Sequence, residues 1–212
     1  MKKRPPHRGS DGDIVVFAQD FIRKRVWGMQ KDISICLTDT ASGIGDSITH
    51  AYFPALATCC AFLEYMTGLC RGRLGGIGWD AVAAWTSRYL NVSHYNQDVV
   101  RVLFDGFRHA VAHRGIASGI WIDRHPSVIP GRRITWRLEE GTKRPACTLV
   151  EDCGVLTMDS PWPSPHTHRM HICLRSLAED LAVGAEAYAV EIGNDELLQE
   201  NFGRAMQTLY PR

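Results

Sequence analysis

A nearly continuous run of apolar and small residues from Ala51 to Leu69 is the strongest constraint that this sequence places on its fold. The run approaches the ~20 residues that a helix needs to cross a bilayer. Glu64, Pro54 and two threonines interrupt it, and these residues argue against a membrane span. We therefore predict a core helix from about residue 48 to residue 69, buried on most sides by the remaining segments.

Five other segments show the periodicity or the capping residues of helices. Apolar residues recur at three- and four-residue steps between Ile14 and Leu37 and predict an amphipathic helix. Gly28 is a candidate point of interruption in this helix. A helix over Trp79–Leu90 is followed by one from Gln97 or Asp98 to about His113. In the C-terminal part, Ser176 and Glu179 have capping-box spacing and predict a helix from Ser176 to about Ile192. A last helix is predicted from Asn194 or Asp195 to Tyr210.

Between Trp121 and Asp159 the sequence changes to short alternating runs separated by turn residues. We expect a small antiparallel sheet here, in which Trp136 packs on the apolar face of its strand. Pro161, Pro163 and Pro165 predict an extended connector that cannot be a central strand.

The predicted fold class is mainly α, a helical bundle with a small antiparallel β-insertion, about residues 120–160, before the C-terminal helices. The predicted organisation is a disordered N-terminal arm, residues 1–13, followed by one domain, residues 14–212.

Composition limits the function classes. The chain has 212 residues and a formal net charge of +1, so any attraction to nucleic acid must be local. The seven cysteines show no C-x-x-C spacing, which argues against a disulfide framework or a zinc site and favours a reduced, cytoplasmic protein. The basic N-terminus has no apolar stretch of the kind found in secretory signals.

The best functional signal is the sequence Arg108-His-Ala-Val-Ala-His113, which we call the motif segment. It places one permanent cation and two imidazoles on about one and a half helical turns, a combination suited to binding and cleaving a phosphodiester. A helical wheel turns His109 and His113 away from the apolar stripe formed by Val99, Leu103, Phe107 and Val111. The histidines are therefore not expected in the core.

The motif segment resembles the arginine-to-histidine motif (R-x4-6-H) of HEPN domains, the higher eukaryotes and prokaryotes nucleotide-binding superfamily. The resemblance implies a bundle of four or five helices and covers roughly residues 14–119 plus a late helix. Many members are metal-independent endoribonucleases, and many act as dimers whose motifs face each other. The segment from Trp121 to Asp159 is not part of a minimal bundle of this kind.

Carried over residue by residue, the resemblance implies that His113 is the acid/base, that Arg108 contacts phosphate and that His109 assists. Arg101 and Arg114, which lie on either side, are predicted to bind substrate. Arg108 and His113 project about 140° apart on one helix, so a single copy does not easily aim both at one atom. We therefore predict a homodimer through the motif helix, acting on RNA or a nucleotide without a cofactor.

Two alternatives remain open at the level of sequence. The chain can be a non-catalytic helical module in which Arg108, His109 and His113 organise a dimer or a nucleotide-binding interface. It can also be a metal enzyme, if His166, His168 and His171 join the motif histidines as ligands. The endoribonuclease reading includes roles as a toxin or defence component, with an antitoxin or other regulator as partner.

Overall fold

The structure is a computed structural model that describes residues 11–38, 51–91, 93–109, 119–126, 131–156 and 163–211. Its α-helices are α1 (Asp11–Cys36), α2 (Tyr52–Arg71), α3 (Trp79–Tyr89), α4 (Gln97–Arg101), α5 (Leu174–Ile192) and α6 (Glu196–Leu209). A π-helical segment, Val102–Arg108, continues α4. The strands are β1 (Trp121–Asp123), β2 (Arg132–Glu139), β3 (Cys147–Leu156) and β4 (Ser164–Cys173).

Helix α2 lies at the centre of the helical part, as its apolar sequence predicts. It contacts α1, α3, α5, α6 and the π-helical segment, and it buries Leu56, Leu63, Met66 and Leu69. Gly72 ends the helix in the left-handed conformation, at φ 73°, which favours glycine. Among the described residues α2 is the one helix long and apolar enough to cross a membrane, and more than half of it is buried inside the protein.

The helix that carries the motif begins where the sequence predicts but changes geometry. The Asn96 side chain accepts a hydrogen bond from the Val99 amide and caps α4. From Val102 to Arg108 the backbone is π-helical, with hydrogen bonds five residues apart instead of four. The angles of an α-helical wheel therefore do not hold over this stretch. Val102, Gly106 and Arg101 are buried beside the expected apolar stripe.

The sheet has the strand order β1-β2-β4-β3. β1 pairs antiparallel with β2, and β3 pairs antiparallel with β4. β2 and β4 run parallel, with Ile134 opposite His168 and Trp136 opposite Met170. The buried side chains of Ile134, Met170 and Ile172 belong to one face of the sheet and join the common core.

These observations correct the predicted fold class of a helical bundle with a small antiparallel insertion. The sheet is mixed, and it extends from Trp121 to Cys173 instead of ending near residue 160. Alternating patterns identified β2 and β3 as strands but did not identify their partners, because β4 lies between them. Pro165 belongs to this central strand after all, near its first residue and opposite Val155, where its missing N–H removes little of the ladder.

The helix boundaries are partly confirmed. α1 runs through Gly28 without a break and begins at Asp11, inside the segment predicted as an arm. α5 begins at Leu174 directly after β4, so Ser176 lies inside the helix and does not cap it. For α6 the predicted cap is confirmed, since the Asp195 carboxylate accepts a hydrogen bond from the Leu198 amide.

Gly106 is the contact point between the π-helical segment and the sheet. A Cβ atom on Gly106 would lie 2.7 Å from Cε3 of Trp121 and 3.0 Å from Cη2 of Trp136. Both rings therefore pack directly on the helix backbone. The position has no room for any side chain.

We predict that Gly106→Ala destabilises the protein by about 1–3 kcal/mol, because rigid indole rings must move to admit the methyl group. Gly28→Ala is the matched control, since nothing lies within 4 Å of a Cβ at that helical position. That variant should gain about 0.4–1 kcal/mol. Urea unfolding of both variants measures the difference, and equal free energies of unfolding would contradict the packing described here.

Candidate functional site

Arg108, the last residue of the π-helical segment, forms a two-point ion pair with Glu64 of α2. Its Nε lies 3.0 Å from Oε2 of Glu64, and its Nη2 lies 2.7 Å from Oε1 and 2.6 Å from Oε2. The Arg108 side chain keeps 33% of its surface exposed and that of Glu64 keeps 19%. A planar two-point contact of this kind fixes the direction in which the guanidinium points.

The geometry of the pair leaves one side of the guanidinium directed away from Glu64. A guanidinium has five N–H donors, and Glu64 engages the edge formed by Nε and Nη2. The positive charge also reaches the buried thiol of Cys60. Burial raises the pKa of Cys60 to about 12, and the charge of Arg108 opposes that rise. Arg108 is thus an oriented cation at the boundary between core and solvent.

His109 follows directly and is exposed. Asp105 precedes it by four residues, about one helical turn. Partial burial raises the pKa of Asp105, while the charge of Arg101 acts in the opposite direction. The structure therefore brings Arg108 and Glu64 into contact at the end of the π-helical segment, and the exposed His109 follows Arg108 in the chain. His113 and Arg114, the other predicted site residues, lie outside the described residues.

Arg101 does not occupy the substrate-binding position predicted for it. Its side chain is only 4% exposed, and it donates from Nη1 and Nη2 to the two carboxylate oxygens of Asp123 at 2.9 and 2.7 Å. Its Nη2 also donates to Asp98 at 2.8 Å. The guanidinium therefore faces carboxylates inside the protein, and its role is to hold structure.

Arg132 completes this cluster, which we call the Asp123 cluster: Asp98, Arg101, Asp123 and Arg132. Arg101 and Asp123 are buried, whereas the Asp98 side chain keeps 40% of its surface exposed. Arg132 contacts both carboxylates, and the His125 amide donates to Asp123 as well. The two positive and two negative charges cancel, and each carboxylate has at least two partners. The cluster joins α4 to β1 and β2, so it fixes the motif-bearing helix against the sheet.

The hydrogen bonds to Asp123 outweigh its burial and hold its pKa at about 2. The hydrogen bond from Arg132 likewise lowers the pKa of Asp98. Both carboxylates are therefore ionised throughout the neutral range. Removing Asp123 leaves the buried Arg101 with only the partly exposed Asp98 as its partner in this cluster.

The histidines proposed as alternative metal ligands do not converge. Successive side chains of a strand point to opposite faces, so His168 and His171 of β4 lie on different sides of the sheet. His166 is buried, and its imidazole packs against Gly154. Within the described ranges there is no group of three histidine, cysteine, aspartate or glutamate side chains that could hold a metal ion.

Glu64 is the site residue that sequence reasoning missed. A signal for it exists, because Glu64 is the one charged residue in the apolar run from Ala51 to Leu69. A carboxylate in a buried helix requires a partner, since an unpaired buried charge is costly. The sequence does not tell which of the chain's 24 basic residues that partner is.

Comparison with protein-family models, with curated proteins and with solved structures gives no match for this chain. The resemblance of the motif segment therefore stays a prediction. The site has to be interpreted from its own chemistry, which is an oriented arginine beside an exposed imidazole.

We predict that Asp123→Ala costs about 3–5 kcal/mol of stability, because Arg101 is then buried without its main partner. The pH dependence has a defined sign. The folded pKa of about 2 lies below the usual value for aspartate of about 3.9, so this stabilisation is complete above roughly pH 4 and is lost as the pH falls toward 2.

Urea unfolding between pH 7 and pH 2 measures both effects. Glu186→Ala serves as the control, because the Arg23–Glu186 ion pair joins α1 to α5 at an exposed position. Its loss should leave the free energy of unfolding close to that of the wild type. If Asp123→Ala behaved like Glu186→Ala, the Asp123 cluster would not be a stabilising element.

Proposed function

We propose that this chain is a metal-independent endoribonuclease that acts as a homodimer and uses the motif segment as its active site. The observation that carries the proposal is the half-buried Arg108, held by Glu64 with one edge directed away from that carboxylate and next to the exposed His109. A guanidinium presented in this way matches the geometry of a phosphate group. The resemblance to the HEPN motif supports the same assignment.

The reaction follows from the residue types. A neutral imidazole, that of His113 in our assignment, takes the proton from a ribose 2′-hydroxyl. The 2′-oxygen attacks the adjacent phosphorus, a 2′,3′-cyclic phosphate forms, and the bond from phosphorus to the 5′-oxygen breaks. A protonated imidazole gives the departing 5′-oxygen its proton. Arg108 stabilises the negative charge that develops on the phosphate oxygens, and His109 assists.

We predict that His113→Ala abolishes RNA cleavage in the presence of EDTA, with a loss of about 10²–10⁴-fold, because the proton transfer has no other acceptor. Gel analysis of a labelled RNA measures the rate, and circular dichroism verifies that the variant is folded. His94→Ala is a matched control, since His94 lies in the turn before α4 and outside the motif segment. Wild-type protein that cleaves no RNA would refute the proposal.

The dimer gives a second test. If Arg108 of one chain works with His113 of the other, mixing Arg108→Ala and His113→Ala chains rebuilds one intact site in each mixed dimer. Random pairing makes half of the dimers mixed, so activity should return to about one quarter of the wild-type value. A mixture that stays inactive would place the whole site within one chain.

One observation favours a second candidate, a non-catalytic module for dimerisation or RNA binding. The Arg108–Glu64 pair joins α2 to the motif-bearing helix and neutralises the cation, which is what a structural ion pair does. If that is its role, Arg108→Ala lowers the melting temperature strongly. Unchanged melting with lost cleavage supports catalysis instead.

The proposed setting is the cytoplasm, where the protein acts as a toxin or defence component restrained by an antitoxin or another regulator. All seven cysteines are free, and burial raises the pKa values of Cys59, Cys60 and Cys147. Buried thiols of this kind are unreactive. Seven cysteines without a disulfide fit a reducing compartment.

A further inference from the structure

Phe53, in the first turn of α2, is a large aromatic side chain that is 43% exposed. Its ring stacks on that of Phe107, with the centroids 6.0 Å apart and the planes inclined by 13°. Phe107 is fully buried and packs edge-to-face on Trp136 at 5.4 Å. One side of the Phe53 ring is therefore supported by a rigid aromatic stack that ends in the sheet.

The position of this ring relative to the proposed active site is fixed by two elements. On the π-helical segment, its support Phe107 directly precedes Arg108. On α2, Phe53 and Glu64 are about three turns apart, so they share one face of the helix at a separation of about 16 Å. The exposed ring and the oriented guanidinium thus mark two points along the same helix face.

We propose that Phe53 is a stacking platform for a base of single-stranded RNA whose backbone passes Arg108. Unpaired bases stack on aromatic side chains, while cations hold the phosphates, and each stacked base contributes substantially to binding. A stacked base would also fix the register of the strand relative to the scissile phosphate. The inference rests on the proposed function and names the substrate class for the same site.

The surroundings of Phe53 favour a nucleic-acid base over an apolar protein surface. Among the described residues of α2 and the motif-bearing helix, Phe53 is the one exposed large apolar side chain. The next residues on its helix face are small, as at Ala57 and Ala61, so the described surface forms no broad apolar patch there. A lone aromatic ring on the same helix face as an oriented cation fits a base and a phosphate farther along the same strand better than it fits a protein interface.

The test is the binding of a fluorescent single-stranded RNA in which every ribose carries a 2′-O-methyl group. This strand has no 2′-hydroxyl nucleophile and stays intact, so binding is measured by fluorescence anisotropy without cleavage. We expect Phe53→Ala to weaken binding about five- to hundredfold, which is the contribution of one stacked base. Phe53→Trp should bind at least as tightly as the wild type, and Phe53→Leu should bind as weakly as Phe53→Ala.

Phe17→Ala is the matched control. Phe17 is 49% exposed and also rests on phenylalanine rings, those of Phe21 and Phe202, but it lies on α1. Its loss should leave RNA binding unchanged. A second measurement replaces one nucleotide at a time by an abasic one. At one position in the RNA, the abasic nucleotide should weaken binding to the wild-type protein by the same factor as the Phe53→Ala substitution does. At that position the abasic nucleotide should not weaken binding to Phe53→Ala any further.

Several results would overturn the inference. Stacking at Phe53 would be excluded if Phe53→Ala or Phe53→Leu bound the RNA as tightly as the wild type. It would also be excluded if Phe17→Ala lost as much affinity as Phe53→Ala. Dissociation of a wild-type dimer by Phe53→Ala, seen by light scattering, would make Phe53 a protein-contact residue instead. If RNA binding depended on Phe53 but the wild-type protein cleaved no RNA, the proposed nuclease activity would be refuted. The proposed stacking of a base on Phe53 would still be supported.

Discussion

The buried ion pair between Arg101 and Asp123 is the interaction on which the arrangement of the motif depends. It links a helix of five residues to a strand of three residues. The cost of burying these charges is offset only because Asp98 and Arg132 complete the set of partners. Such a cluster tolerates few geometries, and it therefore sets the position of α4 on the sheet.

From this anchor the chain continues into a π-helical segment that meets three different surroundings within a few residues. Gly106 lies under two indole rings, Phe107 enters the core, and Arg108 reaches Glu64 at the solvent boundary. π-Helical turns are uncommon and are often found at functional sites. Here the π-helical turn places Phe107 in the core and the adjacent Arg108 at the solvent boundary.

Much of the helical structure could be predicted from the sequence, because apolar periodicity and caps such as Asn96 and Asp195 are local signals. The pairing of strands is not local. Pro165 argues against a central strand, yet this proline and the residues after it form one. The sequences of β2 and β3 contain no signal that β4 lies between them in the sheet. The site was only partly predictable. Arg108 and His109 stood out, whereas Arg101 looked like a surface cation because its partner Asp123 is 22 positions away.

The strand order also determines when the sheet can be completed during synthesis. β2 and β3 are joined only through β4, which is the last of these four strands to leave the ribosome. β4 continues without a loop into α5, so closure of the sheet and docking of a core helix are coupled. In a nascent chain that ends at Leu156, β2 and β3 each have an unpaired edge that later pairs with β4. Until synthesis reaches Cys173, this part of the protein is most open to aggregation and to chaperone binding.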